Sequence, residues 1–135
     1  MRKIVIPQHR SAHAPVAFDE LLWEEDLERE GDPGAQVARS YRKRLELHGQ
    51  RIDDLQQTRQ DGPIALPASA KVYLPDANGR WSMIFEFARD PQTGRHYLAY
   101  VAFGQRHPPS WSPKWTVYEL AYYRLHGRAP RRPGR

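Results

Sequence analysis

The sequence contains no cysteine among its 135 residues, which excludes disulfide scaffolds, thiolate metal sites and cysteine nucleophiles. Its uninterrupted apolar runs are short compared with the roughly 20 apolar residues of a membrane-spanning helix. The apolar triplet at residues 4–6 is also too short for the apolar stretch of a signal peptide. We therefore expect a cytoplasmic protein without membrane contact.

The aromatic content is high enough to build a core, with four Trp, seven Tyr and four Phe. The formal charge of +5 is unevenly distributed, since residues 1–62 carry 10 basic and 12 acidic side chains, whereas residues 63–135 carry 11 and four. A basic half favours a polyanionic partner such as a nucleic acid. Five of these 11 basic residues lie at or beyond the end of the last predicted helix. The prediction of a nucleic-acid partner therefore depends less on the total charge than on where the other six basic residues lie in the fold.

Two helices are predicted in the first half. Phe18 to Glu30 has helical apolar spacing and an acidic remainder, which we interpret as a solvated face. After a break at residues 31–34, Asp32 is a candidate cap for a second helix, and Gly49 is expected to weaken that helix without ending it. Its apolar stripe is formed by Val37, Tyr41, Leu45, His48, Ile52 and Leu55.

The second half alternates with a period of two, which predicts strands at residues 71–74, 80–87 and 96–103. In the middle strand one face is expected to be core and the opposite face, with Arg80 and Ser82, to be available. Residues 96–103 are apolar on both faces, as in a strand inside a sheet. A loop rich in Pro and Trp then leads to a short helix between residues 115 and 125.

These patterns predict an α+β fold, with an N-terminal helical hairpin packed on a small, mainly antiparallel sheet of three to four strands and a short C-terminal helix. The expected single domain covers residues 1–126. Within it we expect an N-terminal extension, the helices, and then the sheet with the last helix, at residues 1–15, 16–60 and 63–126. Residues 127–135, with four Arg, are expected to be a disordered basic tail.

A family resemblance rests on three segments. The hairpin strand is Gly79-Arg80-Trp81-Ser82-Met83-Ile84-Phe85-Glu86-Phe87, the strand at residues 97–103 ends in Gly104-Gln105-Arg106-His107, and the last helix carries Val117-Tyr118-Glu119-Leu120-Ala121. In this order, over residues 35–125, the chain resembles the RelE/ParE superfamily of bacterial type II toxin–antitoxin toxins. The resemblance implies an endoribonuclease that cleaves mRNA, on the ribosome, and that is covered by a cognate antitoxin protein.

The resemblance leaves two alternatives open. One is a ParE-like inhibitor of DNA gyrase without nuclease chemistry. The other is a non-toxic nucleic-acid-binding protein that keeps only the fold. Ser82 favours the first alternative, because RelE-like nucleases typically carry an Arg at this position.

Attack of a 2′-hydroxyl on phosphate needs a proton acceptor, cations and a proton donor. The resemblance places a phosphate-contacting Arg at Arg106, and His107 beside it is a candidate general acid or base. Tyr118 matches a Tyr that stacks on a base or assists proton transfer, and Arg80 is a candidate to replace the charge missing at Ser82. The structural alternatives are a surface arginine, an ordinary His-Pro-Pro strand exit and a tyrosine that caps the core.

A second set is predicted to bind RNA phosphate. Lys71 resembles a family lysine that faces substrate, although a solvated edge lysine is the structural alternative. The remaining members of this set are Tyr73, Ser82 and Lys114. No metal is expected, because the pair His9 and His13 lies in a loop that gives no helix to align it. No cofactor is expected either, since the sequence contains neither a Walker loop nor a dinucleotide fingerprint.

Overall fold

The computed structural model describes residues 13–76 and 79–128. The triplet at residues 4–6, His9 and the tail from residue 129 onward, on which predictions were made, lie outside the described residues. Gly127 and Arg128 are described, and Gly127 ends the last helix.

The first two helices are close to their predicted positions. Helix α1, Glu20–Glu30, begins after Asp19, whose carboxylate accepts hydrogen bonds from the backbone N–H groups of Leu21 and Leu22. Helix α2, Gly34–His48, begins after Pro33 without a side-chain cap, so the predicted capping role of Asp32 is wrong.

Helix α2 ends at Gly49, and its predicted continuation to Leu55 is wrong. Gly49 adopts φ +76°, and a Cβ at this position would lie 2.6 Å from the carbonyl oxygen of Ala14. The close approach lets strand β1, His13–Ala14, pair antiparallel with strand β3, Gln50–Arg51. Glycine is the residue that tolerates both conditions, and here it turns the chain out of the helix rather than merely weakening it.

The main sheet has five strands, more than the three to four predicted. These strands are β2 (Val16–Ala17), β4 (Gln56–Gln57), β5 (Ser69–Tyr73), β6 (Trp81–Arg89) and β7 (His96–Gln105), and they are arranged in the order β2-β7-β6-β5-β4. Pairing is antiparallel except between β2 and β7. The segment from residue 13 to residue 60 therefore contains short strands as well as helices, and residues 13–15 belong to the fold rather than to an extension.

Both faces of the sheet are covered. The helical hairpin packs on one face in a core that includes Trp23, Tyr41, Leu45, Met83, Phe85, Leu98 and Phe103. The opposite face packs against helix α3, Val117–His126, in a second core of Leu66, Ile84, Val101, Ala102, Val117 and Ala121. The face that carries Ile84 is thus buried over much of its length, and the prediction that it is available is wrong there.

Strand β7 lies between β2 and β6 and is buried on both sides, which confirms the prediction of an internal strand. Helix α3 begins with a capping box, in which Thr116 and Glu119 each bind the other residue's backbone N–H. Within residues 13–76 and 79–128, no helix combines the length and apolar character that crossing a membrane would need.

Candidate functional site

Four predicted site residues meet where the sheet emerges from under helix α3. Lys71 and Tyr73 lie on β5, Arg106 follows β7, and Tyr118 lies in the first turn of α3. The sheet pairing extends past β7, because the Arg106 N–H donates to the Arg80 carbonyl at 2.8 Å. We call Lys71, Tyr73, Arg106 and Tyr118 the Arg106 cluster, and all four side chains are half-buried.

Arg106 is held by three hydrogen bonds. Its Nε donates to the Tyr118 hydroxyl at 3.4 Å, its Nη2 to the Tyr73 hydroxyl at 3.3 Å and its Nη1 to the Gly79 carbonyl at 3.1 Å. The guanidinium carbon also lies 4.0 Å from the centroid of the Tyr73 ring. The hydrogen bond to Tyr118 is the largest cause that raises the pKa of Arg106, so this side chain keeps its charge at physiological pH.

Lys71 adds a second cation to the cluster. Its Nζ lies 5.4 Å from the Tyr73 ring centroid and 5.0 Å from the Tyr118 ring centroid, within the range of cation–π attraction. Each phenolic oxygen accepts a hydrogen bond from Arg106, which leaves its own proton free to be donated. Two cations and two hydroxyl donors on one half-buried surface are suited to bind a phosphodiester.

Two other predicted residues, Arg80 just before β6 and Ser82 on β6, do not join the cluster. The guanidinium of Arg80 lies 4.2 Å from the Trp81 ring centroid and 3.8 Å from the Asp76 carboxylate. The Ser82 side chain is fully buried, and its hydroxyl donates to the Val72 carbonyl at 2.9 Å. The prediction that Ser82 binds phosphate is therefore wrong, because its hydroxyl is buried and donates its hydrogen bond to the backbone of β5.

Two further predicted residues, His107 and Lys114, lie outside the Arg106 cluster. His107 is exposed beyond the end of β7, and among the described residues no hydrogen bond or ring contact joins it to the cluster. Lys114 donates from Nζ to the Arg29 carbonyl at the end of α1, at 3.2 Å. The predicted Arg106–His107 pair is thus replaced by a group of one arginine, one lysine and two tyrosines.

Sequence reasoning missed a buried ionic network around Asp26. This carboxylate, on the helix that we interpreted as solvated, is fully buried. It accepts hydrogen bonds from Arg29 at 2.6 Å, Arg124 at 2.7 Å and 2.9 Å, the Tyr100 hydroxyl at 2.5 Å and the Phe103 N–H at 3.1 Å. Arg124, one of the five basic residues at or beyond the end of the last predicted helix, is therefore mostly buried, with 10% of its side chain exposed.

The Asp26 network supplies hydrogen-bond partners to the backbone of β7. Beyond the two residues that pair with β2, no strand within residues 13–76 and 79–128 pairs with the backbone at Val101 and Phe103 on that side. Arg124 donates to the Val101 carbonyl at 2.8 Å, Arg29 donates to the Phe103 carbonyl at 2.6 Å, and Asp26 accepts from the Phe103 N–H. Buried backbone groups need such partners, and here side chains provide the hydrogen bonds that a neighbouring strand would otherwise make.

The network also changes the acidity of Tyr100. Burial and the neighbouring Asp26 carboxylate, to which its hydroxyl donates, raise the pKa of Tyr100 well above the ordinary tyrosine value. A helical acid that contacts a distant tyrosine and arginine leaves no local sequence signal. The one available hint was an acidic residue placed three positions before Arg29, a spacing that brings two side chains to the same helix face.

No protein-family model matches the chain, and neither a curated protein nor a solved structure matches it.

Proposed function

We propose that this chain is a toxin-like endoribonuclease of RelE/ParE type that cleaves mRNA by attack of a 2′-hydroxyl. The observation that carries the proposal is the convergence of Lys71, Tyr73, Arg106 and Tyr118 on one surface. The α+β layout supports it, since the helical hairpin precedes an antiparallel run of β5, β6 and β7 and a last helix. The proposed setting is the cytoplasm, with ribosome-bound mRNA as substrate and an antitoxin protein as the covering partner.

The cluster contains the groups that this reaction needs. The bond from the 2′-oxygen to phosphorus forms, the bond from phosphorus to the 5′-oxygen breaks, and negative charge accumulates on the phosphoryl oxygens. Arg106 and Lys71 are placed to neutralise that charge. Because Arg106 and Lys71 act as cations and His107 is outside the cluster, proton transfer falls to Tyr73 or Tyr118. One of these hydroxyls gives its proton to the leaving 5′-oxygen, and the proton lost from the 2′-hydroxyl passes through water to replace it.

The test is primer extension on mRNA after incubation of the protein with translating ribosomes. Arg106→Ala should reduce the cleavage rate by about 10²- to 10³-fold, as loss of one preorganised donor to a transition state typically does. Arg95→Ala is the matched control, because it removes the same charge from an exposed position in the β6–β7 turn. Equal cleavage by the two variants would contradict the proposal.

A second candidate, inhibition of DNA gyrase without nuclease chemistry, is favoured by the surroundings of Ser82. Ser82 offers no charge, and Arg80 stacks on Trp81 instead of replacing it, so the cluster has one arginine fewer than a RelE-like nuclease is expected to have. A supercoiling assay with the same preparations separates the candidates. Blocked supercoiling with intact mRNA identifies the inhibitor, and binding of nucleic acid without either effect identifies a non-toxic binding protein.

A further inference from the structure

A row of aromatic side chains continues from the Arg106 cluster along helix α3. Tyr118, Tyr122 and His126 are spaced four residues apart and therefore share one helix face, with successive side chains about 6 Å apart along the axis. The Tyr122 and His126 ring centroids are 4.3 Å apart. Arg128 extends the row, since its Nε donates to the Tyr122 hydroxyl at 3.3 Å. We call Tyr118, Tyr122 and His126 the α3 row.

The row is held in place from below. Tyr118 and Tyr122 pack partly against the core under α3, and a ring nitrogen of His126 lies 3.0 Å from the Ala65 carbonyl. Both tyrosines remain half-exposed and His126 is exposed. Rings that are already fixed lose little conformational entropy when a flat ligand stacks on them.

The charge along this face is suited to a polyanion. The only acidic residue of α3, Glu119, is 6% exposed and is used in the capping box. The α3 row thus lies between two groups of cations, Lys71 and Arg106 at one end and Arg128 at the other, without a solvated carboxylate from α3 between them. Alternating cations and aromatic rings form the usual binding surface for single-stranded nucleic acid.

We infer that the α3 row is the track along which single-stranded RNA leaves the Arg106 cluster, with bases stacked on Tyr122 and His126 and a phosphate at Arg128. This inference rests on the proposed function for the position of the scissile phosphate. The stacking surface itself is a separate feature, since Tyr122, His126 and Arg128 make none of the hydrogen bonds that hold Arg106.

The test measures binding without cleavage. A fluorescein-labelled RNA octamer with 2′-O-methyl groups lacks the attacking hydroxyl, so its affinity can be followed by fluorescence anisotropy. Tyr122→Leu removes the ring but keeps an apolar side chain against the core, and it should raise the Kd about 5- to 150-fold, the range for one stacked base. Tyr122→Phe should stay within about twofold of wild type, because stacking needs the ring and not the hydroxyl.

Tyr123→Leu is the matched control. Tyr123 is 47% exposed on the adjacent face and contacts Trp115 rather than the row, so its loss should leave the Kd unchanged. Equal effects of Tyr122→Leu and Tyr123→Leu, with Arg106→Ala still weakening binding, would overturn the row and leave the proposed function standing. A specific loss in Tyr122→Leu without any cleavage of unmodified mRNA by wild type would support the row and refute the nuclease. No octamer binding by wild type at low salt would also overturn the row.

Discussion

Replacement of Asp26 by Asn tests whether the buried network holds the fold together. The side chain keeps its size but loses its charge. Arg29 and Arg124 then lose the carboxylate that they share and keep only Glu30 and Glu25, respectively. The Asp26 side chain has no exposed surface and that of Arg124 is 10% exposed, so solvent screens these charges poorly. In addition, the new amide nitrogen would face donors, because both carboxylate oxygens now accept hydrogen bonds.

The expected loss in the free energy of unfolding is about 3–5 kcal/mol, the typical cost of removing one partner from a buried ion pair. Against a total stability of about 5–15 kcal/mol for a domain, such a loss is large. Urea unfolding followed by tryptophan fluorescence measures it. Asp32→Asn is the control, because Asp32 is 75% exposed and 3.8 Å from Arg39, and an exposed pair contributes about 0–1 kcal/mol.

The reasoning fails if Asp26→Asn loses less than about 1 kcal/mol relative to Asp32→Asn. That result would mean that Glu30 and Glu25 are sufficient partners for the two arginines, or that water reaches them. A loss in the expected range with an unchanged fold by circular dichroism would show that the edge of β7 depends on this carboxylate.

Two further changes probe the core. Burial and the Asp26 carboxylate raise the pKa of Tyr100. Above a pH of about 10, the ordinary pKa of tyrosine, the unfolded chain therefore loses the Tyr100 proton while the folded protein keeps it. The free energy of unfolding should therefore decrease as the pH rises above about 10. Tyr100→Phe should reduce that decrease in urea titrations. An identical pH profile in the two proteins would contradict the assignment of the effect to Tyr100. Gly34→Ala should destabilise the fold by about 1–3 kcal/mol, because the new Cβ would lie 2.7 Å from the Trp81 ring. A higher melting temperature, as for an ordinary helical glycine, would show that the ring can move.

Much of the candidate site was predictable, since strand alternation places Lys71 and Tyr73 on one face of β5. The resemblance singled out Arg106 and Tyr118, and the structure brings these two side chains together with Lys71 and Tyr73. The role of Ser82 was not predictable in the same way. Alternation gives the face of a strand, but whether another element covers that face depends on where α3 packs.

The sequence alone determined the parts of this protein that depend on neighbouring residues. Periodicity set the two helices, the internal strand β7 and the last helix, because each needs only a local apolar pattern. Tertiary structure determined the roles of Gly49 and Asp26. Gly49 ends α2 because β1 passes within contact distance, and Asp26 is buried because Arg124 and Tyr100, more than 70 positions away, supply its partners. Such long-range contacts determine which backbone conformation a glycine adopts and whether a charged side chain can be buried, and no local sequence pattern encodes them.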